Sequence, residues 1–256
     1  MKRLILAALL CLAGEPVLAN DDRKSRLSGS SKFELKDNLV VSSDNASAEK
    51  NTVSAKIKTA LDYAITDRLT LMSYFKFEQM DQAQSRNPGA GEDLFLQSHG
   101  LFAEEIKLSY ALSNQWTLFG GKFNPTYGSA YSERGLADDV FANDYELTEK
   151  IGGGARYEGQ APGIGKYGVE ASSFFSDTSI LGEALITQRD RLHLSDGGAA
   201  NTRNFKSLAV SAEASDLLDV EGLSALAGYR FQHKGDADTA GRHESGVVSG
   251  ASYTWP

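Results

Sequence analysis

Val53-Ser54-Ala55-Lys56-Ile57-Lys58-Thr59-Ala60-Leu61-Asp62-Tyr63-Ala64-Ile65 decides the fold by its period. The odd positions carry Val, Ala, Ile, Thr, Leu, Tyr and Ile. The even ones carry Ser, Lys, Lys, Ala, Asp and Ala. Successive side chains of a strand point to opposite faces, so this spacing predicts one long strand with an apolar and a polar face. A helix of 3.6 residues per turn would mix the two sets.

The same alternation recurs outward in both directions. In 102–112, Phe102, Ile106, Leu108, Tyr110 and Leu112 oppose Ala103, Glu105, Lys107, Ser109 and Ala111, with Glu104 interrupting the apolar set. In 223–233, Leu223, Ala225, Ala227, Tyr229 and Phe231 oppose Ser224, Leu226, Gly228, Arg230 and Gln232. In 247–255, Val247, Ala251, Tyr253 and Trp255 oppose Gly250, Ser252 and Thr254. Ten strands are expected in all: 33–42, 53–65, 69–79, 101–112, 116–125, 149–158, 166–177, 204–216, 223–234 and 246–255. The alternation leaves open which face strand 116–125 turns outward.

The connections alternate in length. Thr66-Asp67-Arg68 and Ser113-Asn114-Gln115 are tight turns, and 159–165 and 217–222 are short links. The connections 80–100, 126–148, 178–203 and 235–245 are long. Short links therefore gather at one end of the strands and long ones at the other, as in outer-membrane barrels. Tyr63, Tyr110, Trp116, Tyr157, Tyr167, Tyr253 and Trp255 sit at the short-turn end or the chain end. Phe75, Phe77, Phe102, Phe123, Phe175, Phe205 and Phe231 sit near the long loops. Two aromatic bands are what two membrane–water interfaces select. A sheet in hydrocarbon has to close on itself, because an unpaired backbone N–H or C=O there costs several kcal/mol. The expected fold is thus all-β, a transmembrane antiparallel β-barrel. A soluble β-sandwich or solenoid would explain the alternation but not the coincidence of turn lengths with aromatic bands.

Lys2-Arg3, the apolar run Leu4 to Ala13 and the small residues of Val17-Leu18-Ala19 read as a secretory signal peptide, residues 1–19. Leu10 precedes Cys11 where a lipid anchor would need a small residue, so no anchor is expected. Residues 20–32 read as a loose periplasmic leader, and 33–256 as the barrel domain. The 256 residues are 41% hydrophobic, with 26 basic against 34 acidic side chains and a net charge of −8. That balance argues against nucleic acid as a partner, and the spread of β-branched and aromatic residues against disorder. No stretch approaches the roughly 18–20 apolar residues of a membrane helix. The single cysteine rules out an internal disulfide framework.

The register places Lys56, Lys58, Lys76, Glu105, Lys107, Arg156 and Arg230 on the face opposite the lipid, as a polar pore wall. Charges of both signs suit a water-filled lumen. They would equally suit a narrow barrel plugged by its own ion pairs, since interior width grows with strand number. The connection 126–148 carries Glu133, Asp138, Asp139, Asp144 and Glu146 with Arg134 as its one cation, among Tyr127, Tyr131, Leu136, Val140, Phe141, Tyr145 and Leu147. A loop folded into the lumen needs both sets, one against the wall and one facing the channel. Gly120-Gly121 and Gly152-Gly153-Gly154 on the adjacent strands would let it approach closely. An external turn or a contact with another protomer would use the same residues.

The segment Leu118-Phe119-Gly120-Gly121-Lys122-Phe123-Asn124-Pro125-Thr126-Tyr127-Gly128 is similar to a strand end, G-[KR]-F-x-P-x-[FY]-G, of porins related to the phosphate-selective type. With the signal peptide and the short/long alternation, the chain resembles a Gram-negative outer-membrane porin. The resemblance implies passive diffusion of small hydrophilic solutes or ions, an outer-membrane location and a trimer, with the acidic loop after the fifth strand as the constriction. It covers most of 33–255 as architecture and about a dozen residues as motif. Such porins have 14–18 strands and end on an aromatic residue, whereas here ten strands are visible and Pro256 follows Trp255. The chain is therefore either a small barrel or part of a larger one. No arginine ladder is evident, so phosphate is not implied.

Enzyme chemistry is not expected. His99, His193, His233 and His243 lie in or beside long loops without the acid partners a barrel protease would need. No H-E-x-x-H spacing occurs, and neither metal nor cofactor is implied. Asp236, Asp238, His243 and Glu244 share one loop, read as a solvated hairpin tip. The rival function is a non-conducting barrel acting as an adhesin through loops 80–100 and 178–203, the latter as a short amphipathic helix.

Overall fold

The computed structural model describes residues 6–7, 10–13, 26–45, 49–80, 92–127, 146–187, 189 and 191–255, with backbone alone for 6–7 and 10–13. Its strands are β1 (Leu6–Ala7), β2 (Leu10–Ala13), β3 (Leu27–Leu39), β4 (Asn51–Ala64), β5 (Leu69–Gln79), β6 (Leu94–Phe95), β7 (His99–Ala111), β8 (Trp116–Phe123), β9 (Lys150–Ala161), β10 (Gly165–Ser176), β11 (Ser207–Ser215), β12 (Leu223–Gln232) and β13 (Glu244–Tyr253). The protein is all-β. The ten strands of eight residues or more correspond one to one with the ten expected. They form one antiparallel meander in chain order, β3-β4-β5-β7-β8-β9-β10-β11-β12-β13. β1 and β2 pair with β3, and β6 pairs parallel with the start of β4. The order is open: among the described residues no pairing joins β13 back to β3.

The tight turns form where expected. Thr66 Oγ1 accepts from the N–H groups of Arg68 and Leu69 at 3.2 and 3.0 Å. Ser113 Oγ accepts from those of Gln115 and Trp116 at 3.2 and 3.1 Å. A hydroxyl that satisfies two backbone donors closes a turn without further chain.

Three expectations are corrected. β3 begins at Leu27, so 27–32 belong to the sheet and not to a leader, and it ends at Leu39 rather than 42. Leu27-Ser28-Gly29-Ser30-Ser31 offers little apolar contrast, but its backbone pairs in register with β4, Leu27 opposite Tyr63. The alternation of β7 changes phase: Phe102 and Glu104 are buried while Leu108 and Tyr110, of the same parity, are exposed. Glu104 thus sits not on an outward apolar face but in a buried ion pair with Lys76. Loop 178–203 contains no α-helix among its described residues, only short 3-10 turns at Ile180–Gly182 and Leu194–Asp196.

The chain packs as two compact units. The first comprises Met1–Tyr63, Met72–Glu104 and Ser179–Arg191; the second comprises Ala64–Leu71, Glu105–Thr178 and Leu192–Pro256. In the first, Leu101 and Leu185 exchange both backbone hydrogen bonds, at 3.0 and 2.7 Å. His99 Nε2 accepts from the Ala55 N–H (3.0 Å) and Nδ1 donates to the Gln97 carbonyl (2.9 Å), and the ring stacks on Phe77. It is a satisfied core histidine. The second unit holds the main core cluster, Phe123, Leu147, Phe174, Ala200 and Ala209, with Phe119 and Tyr127 against it.

Beside this core, parts of the second unit expose apolar side chains next to buried polar ones. In β12, Tyr229 is 42% exposed and its neighbour Arg230 only 8%. In β11, Leu208 and Val210 are exposed while Ser207 and Ala209 are buried; in β10, Val169 is exposed and Ser172 buried. The register makes these one surface, with Val210 opposite Tyr229 and Tyr229 opposite Val247. At the short-turn end Trp116, Tyr157 and Tyr167 form a chain of ring contacts at 5.0 and 6.0 Å, and Tyr253 meets Trp255 at 4.9 Å. Five of the seven rings expected at that end thus meet one another, in two groups. The band expected at the other end is only partial: Phe205 is 61% exposed, but Phe102 and Phe123 are buried. Strand β8 is also resolved. Trp116 and Leu118 are its exposed apolar face, and Phe119 packs inward.

Candidate functional site

The face opposite the exposed apolar surface carries the charges. In the second unit Arg156 is the hub. It lies directly across from Glu170 on β10, which in turn faces Ser211. Its Nε is 3.1 Å from Glu158, its Nη1 3.8 Å from Glu170, and its Nη2 bonds Glu213. Gly168 makes the room: a Cβ there would stand 2.8 Å from the guanidinium. One cation against three carboxylates leaves this group acidic. Toward the short-turn end it opens into a cleft of ≈ 650 Å³ lined by Arg156, Glu158, Lys166, Glu213, Ser215 and Ser224. Glu105 and Lys107 pair on β7 at 2.9 Å.

At the opposite end lies the root of the long connection 126–148. Gly121 has φ +137°, a conformation side chains rarely adopt, and after it two consecutive residues, Lys122 and Phe123, are both buried. Phe123 enters the core cluster. Lys122 Nζ lies between Glu149 Oε2 (2.8 Å) and Asp177 Oδ2 (2.9 Å), with no solvent exposure. Asn124 Oδ1 accepts from the Glu149 N–H at 2.8 Å, and the Asp177 N–H donates to the Glu149 carbonyl at 3.1 Å. Lys150 Nζ donates to Ser176 Oγ at 3.2 Å. The two ends of the connection are thereby tied to each other and to the end of β10.

Tyr127 then turns onto the polar face. Its ring lies under the Arg230 guanidinium, 5.1 Å from the centroid. Its carbonyl and hydroxyl occupy space that a side chain at Gly228 or Gly246 would fill. These two glycines form the seat of Tyr127. Gly228→Val is expected to evict Tyr127 and cost about 1–3 kcal/mol as an overpacking substitution, read as a shift in the urea unfolding midpoint. An unchanged midpoint would show that the seat carries no load.

In the first unit the polar face is rich in lysine. Lys32 pairs with Glu34 (2.8 Å), Lys56 with Glu78 (2.9 Å) and Lys76 with Glu104. Lys58 lies directly opposite Lys32, and Lys56 opposite Glu34.

All seven wall residues expected from the sequence are described. Lys56, Lys58 and Lys76 come together in the first unit. In the second, Glu105 and Lys107 form one pair, while Arg156 and Arg230 each make a separate group. Of the constriction residues, Glu133, Arg134, Asp138, Asp139 and Asp144 lie outside the described residues, and Glu146 is exposed just before the buried Leu147. Sequence reasoning missed the Lys122–Glu149–Asp177 group. Lys122 stood in the quoted motif, but its partners are 27 and 55 residues away and carried no local signal. It also missed that Asp236 and Asp238 are not a free hairpin tip. Asp238 Oδ2 accepts from the N–H groups of Gly198 (2.9 Å) and Gly235 (3.2 Å), and Asp236 Oδ2 from that of Arg203 (3.2 Å). Asn201, fully buried, donates to the carbonyls of His193 and Gly197 at 2.8 and 2.7 Å. Loops 192–206 and 233–243 are stitched together by these groups. Among the described residues no three His, Cys, Asp or Glu side chains gather as a metal centre. No protein-family model, no curated protein and no solved structure matches the chain.

Proposed function

We propose that the chain is an outer-membrane β-barrel of the porin type, passing small hydrophilic solutes or ions without energy input. The observation that carries the reading is the reversed burial of β10, β11 and β12, with Tyr229, Val210 and Val169 outward and Arg230, Ser207 and Ser172 inward. Water does not select such a surface, whereas hydrocarbon does. On this reading the exposed face contacts lipid, the short-turn aromatic band lies at one interface, and the charged face lines the lumen. The acids Glu133, Asp138, Asp139, Asp144 and Glu146 narrow the passage opposite the wall cations, and the native assembly is a trimer.

Refolded protein added to a planar lipid bilayer should produce stepwise, steady increases in ion current. Asp138→Asn combined with Asp139→Asn should then lower cation preference in reversal-potential measurements. An unchanged reversal potential would remove the loop from the passage. Insertion without current would favour the second reading, a surface-interaction barrel. That reading has its own support: Phe95, Ile180, Leu185 and Ile186 are 68%, 71%, 69% and 81% exposed on the connections of the first unit. Ile186 there holds φ +79°, unusual for a β-branched residue.

A further inference from the structure

The polar face of β3, β4 and β5 breaks a pairing rule. Like charges placed directly opposite on antiparallel strands are destabilising, yet Lys32 on β3 and Lys58 on β4 are direct partners. Lys56 and Lys76 act on the same ammonium group from β4 and β5. Three of the four lysines have carboxylates: Glu34 for Lys32, Glu78 for Lys56 and Glu104 for Lys76. Lys58 is half-buried and has no ion pair among the described residues. Among the ion pairs of the described residues, these four ammonium groups thus face three carboxylates, one positive charge in excess. Local rules are broken mainly where function compensates for them.

We propose that Lys58, framed by Lys32, Lys56 and Lys76, is a binding site for the carboxylate of a small monoanionic solute. The charge count sets the class. One incoming negative charge neutralises this group and supplies the ion-pair partner that Lys58 lacks among the described residues. A dianion overshoots and meets Glu34, Glu78 and Glu104 at close range. Lysine also fits this role better than arginine would, because a compact ammonium recognises charge without demanding a planar, two-oxygen partner. The site names a solute class for the channel proposed above and in that sense rests on it, although binding itself needs only the register of β3, β4 and β5.

The test uses full-length protein folded in detergent, with trifluoroacetate as the probe and the broadening of its fluorine resonance as the readout. Wild type should broaden the line, and acetate should relieve the broadening at lower concentration than succinate. Lys58→Gln should lose about tenfold or more in affinity, as expected when a charge-assisted hydrogen bond is removed. Lys58→Arg should keep the broadening, which shows that a positive charge and not the fold alone is needed. Glu34→Gln raises the excess to two charges and should reverse the order, succinate then competing better than acetate. Equal broadening in Lys58→Gln, or succinate ahead of acetate in wild type, overturns the proposal. Bilayer current without Lys58-dependent broadening defeats the site and leaves the channel standing. Lys58-dependent broadening without current supports the site and defeats the channel.

Discussion

Lys122→Met should lose about 3–5 kcal/mol of folding stability, the cost of breaking a buried ion pair by removing one partner. The measurement is the urea midpoint of the detergent-folded protein. The lysine has no exposed surface and lies 2.8 and 2.9 Å from Glu149 and Asp177. Removing it takes the shared cation from the buried Asp177 and the partly buried Glu149 at the root of the long connection. The sign of the effect is tested further by Lys122→Met with Glu149→Gln and Asp177→Asn. A group rebuilt without charge loses Coulomb attraction but also the desolvation cost. The triple variant should therefore recover much of the loss. If it is no more stable than Lys122→Met alone, the charge of the two carboxylates is not the cause.

Val210→Arg gives the second large effect. Val210 is 39% exposed and lies opposite Tyr229 in the middle of the exposed apolar surface. If that surface meets lipid, arginine near the mid-plane costs about 2–4 kcal/mol in a bilayer. If it meets water, the same change lies within about ±0.5 kcal/mol, as for ordinary surface positions. Unfolding from lipid vesicles separates the outcomes, and a change within the smaller range would remove the membrane reading altogether.

How much of this was legible in the sequence depends on the range of the interaction concerned. The strands were readable because a period of two is local: 53–65 and 223–233 announce both faces within a dozen residues. The turns at 66–68 and 113–115 were readable for the same reason, since each is closed within its own few residues. β3 was partly hidden, because Leu27-Ser28-Gly29-Ser30-Ser31 has no contrast to alternate and is held in the sheet by its pairing with β4. The phase change in β7 was invisible except as an anomaly at Glu104, and its cause, Lys76, lies on another strand. The wall cations could be assigned to a face but not to partners. Nothing near Arg156 indicated that it would gather Glu158, Glu170 and Glu213, because that choice follows from strand register. Lys122 shows the limit most clearly: its motif is local, but its function as a tie depends on Glu149 and Asp177, 27 and 55 residues away.

The seam formed by Asn201, Asp236 and Asp238 has a consequence beyond stability. Chain segments that already hold one arrangement surrender little conformational freedom when another molecule settles on them. Any antibody raised against residues 192–206 and 233–243 as they stand in the folded protein would therefore recognise a composite epitope, and synthetic peptides copying either segment alone would be poor mimics of it.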